Sequence, residues 1–165
     1  MNEEIRQRTK WFMEDRFGMF IHWGLYSIPA CGEWMMSQKE MTIEEYSKYF
    51  DQFDPVDYDP KKWVCLAKKA GMKYVVLTAK HHDGFCLFDS KLTDYKSTNT
   101  KAGRDLVREF VDACREEGLK VFPLSTGIIR IFLNMETGSI LCETIRHIKM
   151  KKLILTDILR ICMAR

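Results

Sequence analysis

The chain has 165 residues, 46% of them hydrophobic and 30% charged, with a formal net charge of +3. This is the composition of a soluble globular protein. The charge is too small to argue for nucleic acid, and no apolar stretch reaches the ~18–20 residues of a membrane span. The length suits one doubly wound α/β domain but not a whole (β/α)8 barrel, which needs about 250 residues and rarely fewer than about 200.

The opening Met1-Asn2-Glu3-Glu4-Ile5-Arg6 lacks an apolar core segment, so no secretory signal is expected. Six cysteines, at 31, 65, 86, 114, 142 and 162, form no C-x-x-C pair and match no zinc spacing. Cys65 and Cys114 are expected on apolar helix faces. Free thiols in a reducing cytoplasm are the simplest account.

The first predicted strand is Phe17-Gly18-Met19-Phe20-Ile21, ending in His22-Trp23-Gly24. Cys31-Gly32-Glu33-Trp34 follows on the next loop. Thr42-Ile43-Glu44-Glu45 is a capping box that opens a helix to about Phe50. Asp59-Pro60 supplies an N-cap and a proline at the first helical position. The helix that follows presents Trp63, Leu66, Ala67 and Ala70 as its core stripe, and Gly71 closes it. Residues 74–79, Tyr-Val-Val-Leu-Thr-Ala, read as a parallel strand covered on both faces. Residues 104–117 form the next helix, with Leu106, Phe110, Val111 and Cys114 inward and Gly118 as its stop. Leu119-Lys120-Val121 begins a third strand. The alternation describes successive βα units with right-handed crossovers.

Both earlier strands end in the same kind of chemistry. Lys80-His81-His82-Asp83-Gly84-Phe85 closes the second, and ligands in parallel α/β folds bind at the carboxyl ends of strands. A structural reading makes one histidine a core residue bonded to a carbonyl and the other a solvated neighbour. The upstream site weighs against it: His22 beside Trp23, and Glu33 beside Trp34, pair a polar group with an indole. That combination suits a sugar, whose apolar face packs on an aromatic ring while imidazoles and carboxylates bond its hydroxyls.

These residues carry a resemblance. Trp11-Phe12, Arg16 to Gly24, Gly32-Glu33-Trp34, Ala70-Gly71-Met72-Lys73-Tyr74, Lys80 to Phe85 and Gly103-Arg104-Asp105-Leu106 resemble, in one register from about Lys10 to Lys120, the N-terminal part of the retaining α-L-fucosidase family of glycoside hydrolases. The resemblance implies an α/β fold, the first three or so βα units of an incomplete (β/α)8 barrel. It implies removal of terminal α-L-fucose from fucosylated glycans or glycosides without a cofactor or metal. It also implies that His22, Glu33, Trp34, His81 and His82 line the fucose pocket. The family's nucleophilic Asp and acid/base Glu lie further along than this sequence runs, so the polypeptide alone is expected to be inactive.

After Lys120 the composition changes, which sets the expected division at 1–120 and 121–165. The last 45 residues hold two of twenty aromatics, nine of thirteen isoleucines, and seven basic against three acidic residues. Pro123 is expected to break the third strand, because proline cannot donate to a ladder. Residues 150–165 are apolar enough to form a helix. A second account is a shifted reading frame. Back-translated from Phe122 to Met135 and read one base earlier, the segment can spell FSLIDWHHPDFPKYG, a strand followed by a polar and aromatic loop.

Two other classes stay open. A metal-dependent hydrolase could use His22, Glu33, His81, His82 and Asp83 as ligands, although adjacent residues on an extended strand point to opposite faces. A non-catalytic α/β binding module is the other. Open strand edges of an unfinished barrel predict association.

Overall fold

The computed structural model describes residues 3–125. The anticipated division between 120 and 121 falls inside a strand that continues to Ser125, while the helix over 150–165 and most of the reading-frame segment lie outside the described residues. Helix α1 spans Glu3–Asp15, β1 Gly18–Ile21, α2 Met35–Gln38, α3 Ile43–Gln52, α4 Pro60–Lys69, β2 Tyr74–Lys80, α5 Leu106–Glu117 and β3 Lys120–Ser125. The fold is α/β, with a small parallel sheet in the order β1-β2-β3. Gly18, Tyr74 and Lys120 stand in one row across it. A Cβ at Gly18 would run into the Tyr74 ring, so glycine lets that ring lie against the strand.

Local chemistry sets the helix ends. Thr42 accepts from the Glu45 amide at 3.2 Å, while the Glu45 carboxylate accepts from the Thr42 amide at 2.9 Å. Asp59 accepts from the Lys62 amide at 3.0 Å, and Pro60 follows it. Helix α5 begins two residues later than expected, because Asp105 caps it by accepting from the Arg108 amide at 2.8 Å. Gly118 ends it in the left-handed region, at φ 71°.

The core lies between the sheet and helices α4 and α5. Val75, Leu77 and Ala79 of β2 join Val64 and Ala67 of α4 and Phe110, Val111 and Cys114 of α5. Leu106 is buried with them, Cys114 fits the small-hydrophobe role, and Cys65 is half-buried. The expected α4 stripe needs correction. Leu66 is 68% exposed and Ala70 is also exposed. Pro60, Val64 and Ala67 define the inward line, and Leu66, two positions from Val64, points away from it.

Two strand expectations also change. The opposite face of the sheet carries Phe20, Val76 and Phe122 in one row. Phe20 and Phe122 are exposed, so the described residues cover β2 fully on one face only. On that second face, Trp11 of α1 stacks on Phe122 at 4.7 Å and meets Tyr74 at 5.9 Å. In addition, β3 runs through Pro123, which pairs with Leu77. The Lys120 amide donates to Lys73 on the β2 side. By alternation, Pro123 faces its missing donor away from β2, a side on which the described residues place no strand.

Candidate functional site

The two strand ends meet. His22 follows β1, and the His81–His82 pair lies just past the end of β2 at Lys80. The His22 and His81 ring centroids are 4.8 Å apart, edge to face. Because β2 has already ended, strand alternation does not separate His81 from His82; their rings sit 4.7 Å apart at 85°. Thr78 ties the strand ends together by donating to the Ile21 carbonyl at 3.2 Å.

The loop after β1 delivers the rest. Glu33 and Trp34 precede α2, and Trp34 stacks on His82 with centroids 4.4 Å apart and an interplanar angle of 29°. Its edge meets His81 at 5.8 Å. Trp34 remains 46% exposed, so part of the indole is open to a ligand. The five anticipated residues thus fall on one rim, with the Glu33 charge acting on His81 and Tyr26. Trp23 turns away into an aromatic cluster, stacked at 5.2 Å on Tyr58.

Tyr26 completes the cluster and was not anticipated. It lies in a 3₁₀ turn over Leu25–Ser27, is buried, and its hydroxyl pairs with His22 Nδ1 at 2.8 Å. Its ring stands 5.1 Å from His81. Burial, then the Asp83 charge, raises its pKa. No sequence signal marks it, because His22 lies outside the turn and four-residue spacing places two side chains together only within a helix.

The electrostatics divide the imidazoles. His81 is 4% exposed, and burial, followed by the proximity of His82 and His22, pushes it down to about 4. It is therefore a neutral ring at neutral pH. Its buried Nδ1 has no hydrogen-bond partner among the described residues. Asp83 braces the loop. Its carboxyl accepts from the Phe85 amide at 3.1 Å and from the Tyr46 hydroxyl at 3.2 Å, and burial lifts it to about 6. Gly84 permits the turn, at φ 86°.

A neutral imidazole can donate and accept, a carboxylate accepts, and an indole face packs apolar C–H groups. The rim therefore suits a polyhydroxylated ring with one apolar face. Among the described residues no three of His, Cys, Asp and Glu converge to hold a metal ion.

The sequence model of the α-L-fucosidase family matches residues 1–128. Tissue α-L-fucosidase of Rattus norvegicus is 35% identical over 134 residues, covering 71% of this chain and 29% of its own length. The solved α-L-fucosidase isoenzyme 1 of Paenibacillus thiaminolyticus shares 68% identity with a TM-score of 0.69, over 70% of this chain and 28% of that one. An α-L-fucosidase of Bacteroides thetaiotaomicron, solved as a trapped covalent intermediate with 2-fluoro-fucosyl fluoride, shares 44% identity with a TM-score of 0.64, over 67% of this chain and 28% of that one. The chain thus spans about three tenths of the length of the curated relatives it matches.

Proposed function

From its membership of the α-L-fucosidase family, to which this chain belongs, we infer that the strand-end rim is the sugar-holding part of a fucosidase active site. His22, Glu33, His81 and His82 bond the hydroxyls of a terminal α-L-fucosyl residue, and Trp34 packs against its apolar face. The observation that carries this is the convergence of Trp34, stacked on His82 and still open, with His81 5.8 Å from the indole and His22 4.8 Å from His81.

The reaction of the whole enzyme is a retaining double displacement. Two carboxyl groups about 5 Å apart serve as nucleophile and acid/base. One attacks the anomeric carbon and forms a glycosyl-enzyme. The other protonates the leaving oxygen and then takes a proton from water. Neither role belongs to a carboxylate described here. Glu33 is a sugar ligand, and Asp83 is engaged by Tyr46 and the Phe85 amide. The imidazoles and the indole hold and orient the sugar, through hydrogen bonds that strengthen as charge develops on the ring. Of this machinery the described residues supply the sugar-holding part.

The sheet is the opening arc of a (β/α)8 barrel, with its active site at the carboxyl ends of the strands. Residues 1–120 supply most of that arc, and β3 runs on to Ser125. Residues 121–165 are an out-of-frame continuation, supported by the change of composition and by the alternative decoding. The coding DNA across codons 118 to 130 decides this, since absence of an α-L-fucosidase continuation in the alternative frame contradicts it.

Binding is tested by titrating L-fucose into the chain labelled with ¹⁵N at histidine. Shifts at the His22, His81 and His82 rings, lost in Trp34→Ala, are expected. Unmoved rings at millimolar sugar overturn the assignment.

A further inference from the structure

We propose that Tyr46, on helix α3, is a positioning residue that sets the His81–His82 loop through Asp83. Tyr46 is 2% exposed, yet its hydroxyl is spent on one carboxylate oxygen, Asp83 Oδ2, at 3.2 Å. The other oxygen of Asp83 accepts from the Phe85 amide at 3.1 Å. Within the same turn the Gly84 amide donates to the His81 carbonyl at 3.1 Å. One phenol thus reaches from α3, 37 residues upstream, to the carboxyl that shapes the segment bearing both imidazoles.

Helix α3 is suited to this. Its start is fixed by the reciprocal Thr42–Glu45 cap, and the Tyr46 ring is braced edge-on by Tyr49 at 5.3 Å. The same helix packs against the Leu25–Ser27 turn, which carries Tyr26 and through it His22. Both strand-end loops therefore rest on one element. The groups that act on Asp83 from around it are Lys80 at the end of β2, His82 on its own loop and Tyr46 on α3. Tyr26 and Tyr95 feel its charge from the turn after β1 and the loop after β2. Lys80 and His82 stabilise the carboxylate, as does the Tyr46 hydrogen bond.

The inference rests on the geometry of the loop and not on the identity of the sugar, so its test uses no sugar. The whole chain, ¹³C/¹⁵N-labelled, is titrated between pH 4 and 8 while the histidine ring resonances are followed. In Tyr46→Phe, losing a hydrogen bond to the charged form moves the Asp83 inflection, read at His82, upward by about one pH unit, a tenfold change in its ionisation constant. The His81 and His82 ring shifts at pH 8 also change. A core-filling role predicts a lower melting temperature with inflection and ring shifts unmoved, and that result overturns the proposal. Should Tyr46→Phe not fold, Asp83→Asn decides. Loss of the inflection together with displaced His81 and His82 shifts supports the proposal; undisturbed rings overturn it.

Discussion

Replacing Asp83 by asparagine uncovers a pH dependence of stability that the native site conceals. His81 is held at about 4, down from 6.5, by burial and by the neighbouring His82 and His22. Asp83 is lifted by burial to about 6, from 3.8. The His81 contribution is complete above pH 6.5 and is lost as pH falls toward about 4, because the unfolded chain takes up a proton that the native ring refuses. The Asp83 contribution runs the other way. It is complete below pH 3.8 and is lost as pH rises through about 6. Each slope is about 1.4 kcal/mol per pH unit, so between pH 4 and 6 the two cancel. Asparagine offers one acceptor oxygen to two donors, the Tyr46 hydroxyl and the Phe85 amide, and removes one of the slopes. On going from pH 6.5 to 4, Asp83→Asn should therefore lose up to about 3 kcal/mol more stability than the parent chain. Urea unfolding at pH 4, 5, 6 and 7, followed by fluorescence of the four tryptophans, reads this difference. Parallel stability–pH curves for the two proteins would refute the reasoning, since they require Asp83 to titrate alike in native and unfolded chains.

Other consequences concern the frame around the site. Thr42→Ala removes one half of the α3 capping box and should cost about 1 kcal/mol by urea unfolding. Gly118→Ala puts a side chain at φ 71°, where its Cβ meets no atom within 4 Å. The cost is then purely backbone, about 1–2 kcal/mol in the same assay. Phe20 is 55% exposed in the apolar row with Val76 and Phe122, so Phe20→Lys should reduce self-association in sedimentation-velocity runs without lowering the melting temperature.

Much of this architecture is readable from local chemistry. Thr42, Asp59 and Gly118 act within one helical turn of themselves, so their spacing alone locates the ends of α3, α4 and α5. The His81–His82 pair stands out for a similar reason, since a β-branched run must stop somewhere and polar residues mark where. What escapes is what depends on distant partners. Helix α1 has no strong apolar stripe of its own, and its place follows from Trp11 and Phe12 meeting Tyr74 and Phe122. The exposure of Leu66 depends on which line of α4 the sheet accepts, and the continuation through Pro123 depends on which side of β3 has a neighbour. Tyr26 and Tyr46 look like ordinary core tyrosines in the sequence. Only folding brings their hydroxyls to His22 and Asp83.

The most direct test of the sugar-holding rim is a crystal structure of the chain soaked with L-fucose. A pyranose is expected to lie against the open face of Trp34, with hydroxyls within hydrogen-bonding reach of His22, His81 or His82. Fucose density elsewhere on the surface, with that rim occupied only by solvent, would contradict it.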